Sequence, residues 1–378
     1  MKDLALYIHI PFCERKCYYC DFISFPRKNE NVDRYINCLK KELSHYKDKL
    51  KDYIINTIFI GGGTPSSIDP AYISDVLNYV NNNFNVKEKA ETTIEANPGT
   101  INPEKVKIYK ESGINRISLG VQTLDNRLLK LIGRIHDVDD FYNSYNILKK
   151  VGFYNINVDI MFGLPDQSMD NIINTLDEIT KLDIKHISAY SLILEDGTPI
   201  KKWYEEGEVT LPDEDKERNM YHTIVEYLRD KGYYQYEISN FAKKGYECNH
   251  NITYWKVKPY LGVGISSHSN MEGKRFWNTN TLLHYYSSLS NGILPLDSEE
   301  TINKNMEMCE YIILGLRLTQ GIDKNAFKKR FGVFMNELYK EQINKNVKNG
   351  LLIEDEKSIR LSKKGMDLSN IVELDFYL

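Results

Sequence analysis

The 378-residue chain reads as an α/β protein, a partial open (β/α)6 barrel of parallel strands with a C-terminal α-rich, winged-helix-like appendage. Three observations predict this. Short apolar runs alternate with helical periodicity six times between Leu4 and about residue 210. Each run ends in residues that stop a strand and suit chemistry: Cys13, Gly61–Gly63, Glu95, Gln122, Asp159 and Ser191. Six units fall two short of an eight-fold barrel. An open sheet is therefore expected, with its mouth at the carboxyl ends of the strands, where parallel folds bind ligands.

The first strand runs from Leu4 to Ile10 and Pro11 ends it. A cysteine loop continues to about Pro26, and Tyr35, Ile36, Leu39 and Leu43 give the periodicity of a helix over about 31–50. Thr57–Ile60 is a buried strand stopped by three glycines, and Asp69-Pro70 opens a helix to about Asn82. Glu91–Ala96 is the third strand, and Asn102-Pro103 opens the next helix. Arg116–Val121 is followed by helices near 125–132 and 138–151, and Ile156–Phe162 by a helix over 169–182. His186–Leu194 is the sixth strand, and Asp213–Lys231 a long helix with Met220, Ile224, Val225 and Leu228 on one face.

The alternation then stops. The expected organisation is a core over 1–232, an irregular aromatic-rich extension over 233–300 and an α-rich unit over 301–378. In that last unit, apolar and turn residues around 349–361 read as a hairpin after helices, as in a winged helix. Lysines there are mixed with Glu and Asp, so nucleic acid is not expected as a partner.

Composition narrows the classes. The 49 basic and 53 acidic residues leave a net charge of −4, unlike a dedicated nucleic-acid binder. No signal-peptide pattern and no apolar run of membrane-spanning length is present, so no membrane anchor is expected. The spacing of the six cysteines does not look like a secreted disulfide framework, so a reducing cytoplasm is the expected compartment.

The chemistry concentrates at the strand ends. Cys13, Cys17 and Cys20 lie within eight residues, close enough to face one small object. Three readings fit: a redox dithiol from Cys17 and Cys20, a zinc site completed by His9, or a [4Fe–4S] cluster with one open iron. The first leaves Cys13 idle, and the second needs a strand histidine to turn toward the loop. Gly61-Gly62-Gly63-Thr64-Pro65 permits a tight turn and close backbone approach to a ligand, or is an ordinary turn. It lacks the Lys-Ser/Thr of a phosphate loop. Glu95, Gln122 and Asp159 recur on strand ends, where a buried carboxylate is costly unless it has partners. Each alone could be structural; together they suggest a polar ligand in the mouth.

The Cys-x3-Cys-x2-Cys loop after an N-terminal strand in a strand–helix repeat resembles the radical S-adenosylmethionine superfamily. Tyr-Ile-His-Ile-Pro-Phe-Cys, Gly-Gly-Gly-Thr-Pro, Glu-Ala-Asn-Pro, Ser-Leu-Gly-Val-Gln and Asp-Ile-Met-Phe-Gly-Leu-Pro follow in order over about residues 4–270. That series resembles the oxygen-independent coproporphyrinogen III oxidase-like branch. The resemblance implies a [4Fe–4S] cluster on Cys13, Cys17 and Cys20, with S-adenosylmethionine on its open iron. It places Tyr7, Gly62, Gly63, Thr64, Glu95, Gln122, Arg134 and Asp159 around the S-adenosylmethionine.

Within the branch, the oxidase carries a further cysteine two residues after the triplet, and here that residue is Phe22. The oxidase also has an extension before the first strand, which here starts at Leu4. His250-Asn-Ile-Thr-Tyr-Trp255 matches the His-Asn-x-x-Tyr-Trp motif of the HemW heme chaperones. The implied function is heme binding and transfer to an acceptor hemoprotein, a membrane cytochrome being one candidate; the alternative is the oxidase reaction itself. The resemblance implies a heme contact for His250, with Tyr254 and Trp255 offering flat apolar surface. The electron donor is not identified. Cys248 lacks the Cys-x2-Cys-His attachment pattern and reads as a plain thiol. His268 lines the same mouth or is a structural histidine.

Overall fold

The computed structural model describes residues 1–27 and 29–377. Twelve strands form one sheet. In chain order they are β1 (Lys2–Ile10), β2 (Tyr53–Gly62), β3 (Val86–Ala96), β4 (Arg116–Gln122), β5 (Ile156–Phe162) and β6 (His186–Ser191). Then come β7 (Tyr234–Glu237), β8 (Asn240–Ala242), β9 (Tyr260–Val263), β10 (His268–Met271), β11 (Lys274–Asn278) and β12 (Leu296–Thr301). The order across the sheet is β12-β11-β10-β9-β1-β2-β3-β4-β5-β6-β8-β7, so the sheet is open between β12 and β7.

The six expected strand–helix units are present. Their helices are α1 (Asn29–His45), α2 (Pro70–Asn83), α3 (Pro103–Glu111), α4 (Asn126–Leu131), α5 (Val138–Val151), α6 (Met169–Lys181), α7 (Pro199–Glu205) and α8 (Glu214–Asp230). The caps are local. The Asp69 carboxylate accepts from the Ala71 amide, 2.9 Å, with Pro70 in the first turn, and Asn102 accepts from Lys105. Asp137 with Asp140 and Ser168 with Asn171 close capping boxes.

Strand alternation divides the sheet into two faces. Ile8, Ile60, Ile94, Leu119, Val158 and Ile187 point to one, where they pack with Leu39, Leu77, Val106, Leu148 and Leu176 of the helices in one large core. The other face is concave and polar. Glu95, Ser118, Asn157 and His186 pair directly across β3–β6, and the next rung pairs Gly120, Asp159 and Ser188. The site lies on that face.

The structure corrects several expectations. The stretch after Tyr233 is not irregular. β8 and β7 extend the β6 edge antiparallel. β9 returns to pair parallel with β1, and β10, β11 and β12 continue antiparallel beyond it. The parallel set is therefore seven strands, β9 joining the six. Four-residue strands are too short to declare a period, and aromatic residues here serve both faces. The first helix stops at His45 rather than Leu50, and β6 stops at Ser191 rather than Leu194. Between β8 and β9 lies the short helix α9 (Asn249–Trp255), which packs on the concave face against β2, and α10 (Leu282–Ser290) packs against α1.

The C-terminal unit follows the order of a winged helix. α11 (Lys304–Leu316) leads to β13 (Ile322–Asp323), α12 (Lys324–Phe331), α13 (Met335–Leu338) and α14 (Lys340–Lys348). The hairpin β14 (Leu352–Glu354) and β15 (Ser358–Leu361) follows, with two short closing helices over 363–367 and 369–374. Ile312, Phe327, Ile343, Ile359 and Phe376 form its separate core. No helix among the described residues is long and apolar enough to cross a membrane.

Candidate functional site at the carboxyl ends of the parallel strands

A cavity of about 490 Å³ opens at the strand ends. Its wall contains Cys13, Cys17 and Cys20 together with Gly62, Gly63, Thr64, Glu95, Gln122, Arg134 and Asp159. Ten of the expected site residues therefore meet on one surface, although they span 147 positions of the chain.

The cysteine loop leaves β1 at Pro11 and is stitched to its surroundings. Phe12–Cys13 pairs with Phe25–Pro26, and the Thr64 amide donates to the Phe12 carbonyl, 2.8 Å. Gly63 fits under this loop because a Cβ there would come within 2.8 Å of the Phe12 carbonyl and 3.0 Å of Cys13 Sγ. Gly62 sits at φ +116°, where side chains are strongly disfavoured, and a Cβ would strike the His9 ring at 2.6 Å. Both glycines are thus required by close approach. All three thiols are half-buried. Burial raises the pKa of Cys13, and pushes that of Cys20 up to about 11.

A chain of polar contacts joins the loop to the strand ends. The Cys13 thiol lies 3.5 Å from Thr64 Oγ1, and Asn97 Nδ2 donates to that hydroxyl at 3.1 Å. Arg134 Nη2 donates to Asn97 Oδ1 at 2.6 Å and to the Gly120 carbonyl, and its Nη1 faces Cys17 Sγ at 3.5 Å. Gly120 leaves room for this, since a Cβ would meet Asn97, Gln122 and Arg134 within 2.9–3.2 Å. Gln122 itself stands at φ +69°, at a register shift between β4 and β5, a strained backbone of the kind found at binding sites.

The carboxylates have separate environments. The Gly62 amide donates to Glu95 Oε2 at 3.0 Å. Burial, followed by the nearby Asp159 charge, raises the Glu95 pKa to about 8. Asp159 is also raised by burial, but Asn157 at 2.7 Å and Ser118 at 3.1 Å hydrogen-bond its carboxylate and work against that rise. Beneath both lies Arg116, 2% exposed, whose charge favours the ionised form of each.

Two expected contacts are not on the cavity wall. Tyr7 stands behind it, its hydroxyl on His9 Nδ1 at 3.0 Å and its ring 6.3 Å from Phe59, which does line the cavity. His250, on α9, is 1% exposed and both ring nitrogens are engaged. Nδ1 meets the Thr57 hydroxyl and Nε2 the Tyr254 hydroxyl, each at 2.9 Å. Burial, helped by Arg116, lowers its pKa to about 3. The residue expected as a heme contact is thus buried, with both ring nitrogens bonded within the protein. Cys248 is a buried thiol. His268 is exposed, stacks on Trp277 at 5.6 Å and lies off this wall.

No three His, Cys, Asp or Glu side chains among the described residues converge as ligands of a single metal ion. The sequence reading missed Arg116, Ser118, Asn157, Ser188, Asn97 and Asn251, all on the wall. The signal was available in β4: Arg116, Ser118, Gly120 and Gln122 alternate with Ile117, Leu119 and Val121.

The chain was compared with known proteins. A model of the radical SAM superfamily matches residues 7–179, and one of the HemN C-terminal domain matches residues 302–368. Heme chaperone HemW of Bacillus subtilis is 36% identical over 369 residues, 97% of each chain. Heme chaperone HemW of Lactococcus lactis is 37% identical over 381 residues, 100% of this chain and 98% of its own. Among solved structures, coproporphyrinogen III oxidase (HemN) from Escherichia coli, a radical SAM enzyme, superposes with a TM-score of 0.86. It covers 99% of this chain and 90% of its own at 22% identity, a likeness of fold.

Proposed function

Because the chain belongs to the HemW family of the radical SAM superfamily, we propose that it binds heme and transfers it to an acceptor hemoprotein. The observation that carries this reading is identity of 36–37% with heme chaperones over nearly the whole chain. Phe22 supports it. That residue is on the cavity wall, 61% exposed, where the oxidase pattern has a further cysteine.

Cys13, Cys17 and Cys20 would hold a [4Fe–4S] cluster, and Gly62, Gly63, Thr64, Glu95, Gln122, Arg134 and Asp159 would surround S-adenosylmethionine, with Tyr7 behind them. Bound together, the two supply one-electron cleavage of a sulfonium C–S bond. The protein's own part is to orient and shield. Arg134 sits beside Cys17, its Nη1 3.5 Å from the sulfur. The Gly62 amide holds Glu95 in place, and Asn157 and Ser118 hold Asp159. We place the protein in the cytoplasm, where all six free thiols stay reduced.

The test is a hemin titration followed at the Soret band, beside anaerobic incubation with coproporphyrinogen III, S-adenosylmethionine and a reductant. Saturable hemin binding without protoporphyrinogen is expected. Protoporphyrinogen formation would replace the chaperone reading with the oxidase one.

A further inference from the structure

The concave face continues past β1 onto β9–β12, where α11 closes over it. The cleft between them, of about 730 Å³, is bounded by Tyr254, Tyr260, Arg275 and Met306. Helix α9 stands where this cleft and the cluster cavity meet, and it is loosely packed. Asn251 faces the cluster cavity, Tyr254 the cleft, and Trp255 a third cavity of about 610 Å³. Asn249, Ile252 and Thr253 face a fourth of about 260 Å³. Every residue of this seven-residue helix except His250 therefore borders a cavity. The Trp255 indole Nε1 is buried with no hydrogen-bond partner among the described residues. Val257, where the chain leaves the helix, stands at φ +46°, a costly conformation for a β-branched residue.

Polar contacts hold α9 in its seat, and most of them go to one carboxylate. The N-cap residue, Cys248, gives the helix no side-chain cap. Glu91 of β3 takes that role. Its Oε2 accepts from the Asn249 amide and from the Asn249 side chain, each at 3.1 Å, and its Oε1 accepts from the His250 amide at 3.0 Å. Hydrogen bonds to a carboxylate are stronger than neutral ones. The Tyr236 hydroxyl accepts from the Cys248 amide at 3.2 Å. On the His250 ring, Thr57 of β2 meets one nitrogen and Tyr254 the other, and the Phe59 ring lies 5.2 Å away.

We infer that Glu91 is a positioning residue for the cargo: it latches α9 in a seat where His250 is capped, and heme binding requires that latch to open. The inference rests on the chaperone reading, in which His250 is a heme contact. A neutral imidazole has one N–H and one lone pair. With Thr57 on one nitrogen and Tyr254 on the other, neither is free for a ligand. The binding-competent state is then the minor one, and the apparent affinity is reduced by the fraction of molecules in it. The surroundings make that state accessible. The cavities give α9 room to shift, the shift relieves the backbone at Val257, and the bonds to be broken are few and gathered at one end of the helix.

The full chain would be titrated with hemin at the Soret band, and its association rate measured by stopped flow, as wild type, Glu91→Gln, Thr57→Val, and Glu91→Gln combined with His250→Ala. Glu91→Gln keeps the size of the side chain and removes its charge. It should bind hemin about tenfold more tightly, through faster association, because the capped state loses its anchor. Thr57→Val uncaps one ring nitrogen and should shift affinity in the same direction by less; it decides the question if Glu91→Gln does not fold. Adding His250→Ala should cancel the gain, which a general loosening of the protein would not do. Without hemin, backbone hydrogen exchange over 249–256 should be faster in Glu91→Gln, with β1–β6 unchanged. Affinity no greater than wild type in the folded single variants, a gain that survives His250→Ala, or unaltered exchange would overturn the latch alone. No hemin binding by the wild type would overturn the chaperone reading and the latch with it.

Discussion

The two halves of the concave face are built by different rules. Over β2–β6, charged groups are buried and interlocked: Arg116 lies under Glu95 and Asp159, and Arg134 is tied to Asn97, Gly120 and Cys17. Over β9–β12 the wall is half-exposed, its ion pairs are partly solvated, and a separate unit supplies the opposite side. The first half is preorganised for one ligand geometry, because its groups cannot relax without exposing a buried charge. The second gains its shape from the docking of α11. The two cavities meet at α9, where Asn251 faces one and Tyr254 the other.

The largest expected effect separates the halves completely. Cys17→Ala removes one of three thiolates, and the reconstituted protein should lose the visible absorption of its cluster. An unchanged spectrum would refute the assignment of the triplet. The next effect tests preorganisation. Arg116→Met strips the counter-charge from Glu95 and Asp159, and urea unfolding should show a loss of about 3–5 kcal/mol. A loss under about 1 kcal/mol would mean that the surrounding hydrogen bonds, not Arg116, hold the carboxylates.

The same contrast explains what the sequence could disclose. β1–β6 were legible because each apolar run is long enough to show its period and ends in a stop such as Pro11 or Gly61–Gly63. The cluster loop and the residues from Gly62 to Asp159 lie at those stops, so they could be located one strand at a time. Arg116 and Asn157 were legible in principle, since R-I-S-L-G-V-Q and I-N-V-D-I-M-F alternate strictly. The cleft was not. Tyr254, Tyr260, Arg275 and Met306 converge only because β9 returns beside β1 and α11 folds over it, and no local pattern encodes that return. The burial of His250 was not legible for a related reason: the motif places it near flat rings, and only the fold shows that both its nitrogens are engaged.

A third effect falls on the joint between the halves. Glu42 of α1 is fully buried and accepts from the Gly264 amide at 2.9 Å, Asn278 at 2.6 Å and Tyr285 at 2.6 Å, which tie the extension to the core. Burial raises its pKa from 4.5 to about 7, against those three donors. The folded state therefore keeps a proton that the unfolded chain releases. This contribution is fully present below the unfolded pKa and is lost as pH rises from about 4.5 to about 7, amounting to roughly 3 kcal/mol. Glu42→Gln stays neutral throughout, so unfolding measured across that window should lose this part of its pH slope. An identical slope in the variant would show that Glu42 is ionised in both states.

The smallest effect concerns how far the two sides of the cleft are one cooperative body. Asp323 caps α12, its carboxylate accepting from the Ala326 amide at 2.7 Å. Asp323→Ala should cost about 1 kcal/mol. The C-terminal unit has its own core, and its contacts with the rest include Arg317 over the Trp255 ring at 4.5 Å, Arg330 on the Val257 carbonyl at 2.7 Å, Arg275 with Glu310, His222 with Asp367 and a bridge between Glu237 and Leu318. Such a unit can open without unfolding the sheet. Hydrogen exchange should then show the loss confined to 304–377, with β1–β6 unchanged. A loss spread evenly over the whole chain would mean that α11 and the sheet unfold together, and that the cleft is as rigid as the cluster cavity beside it.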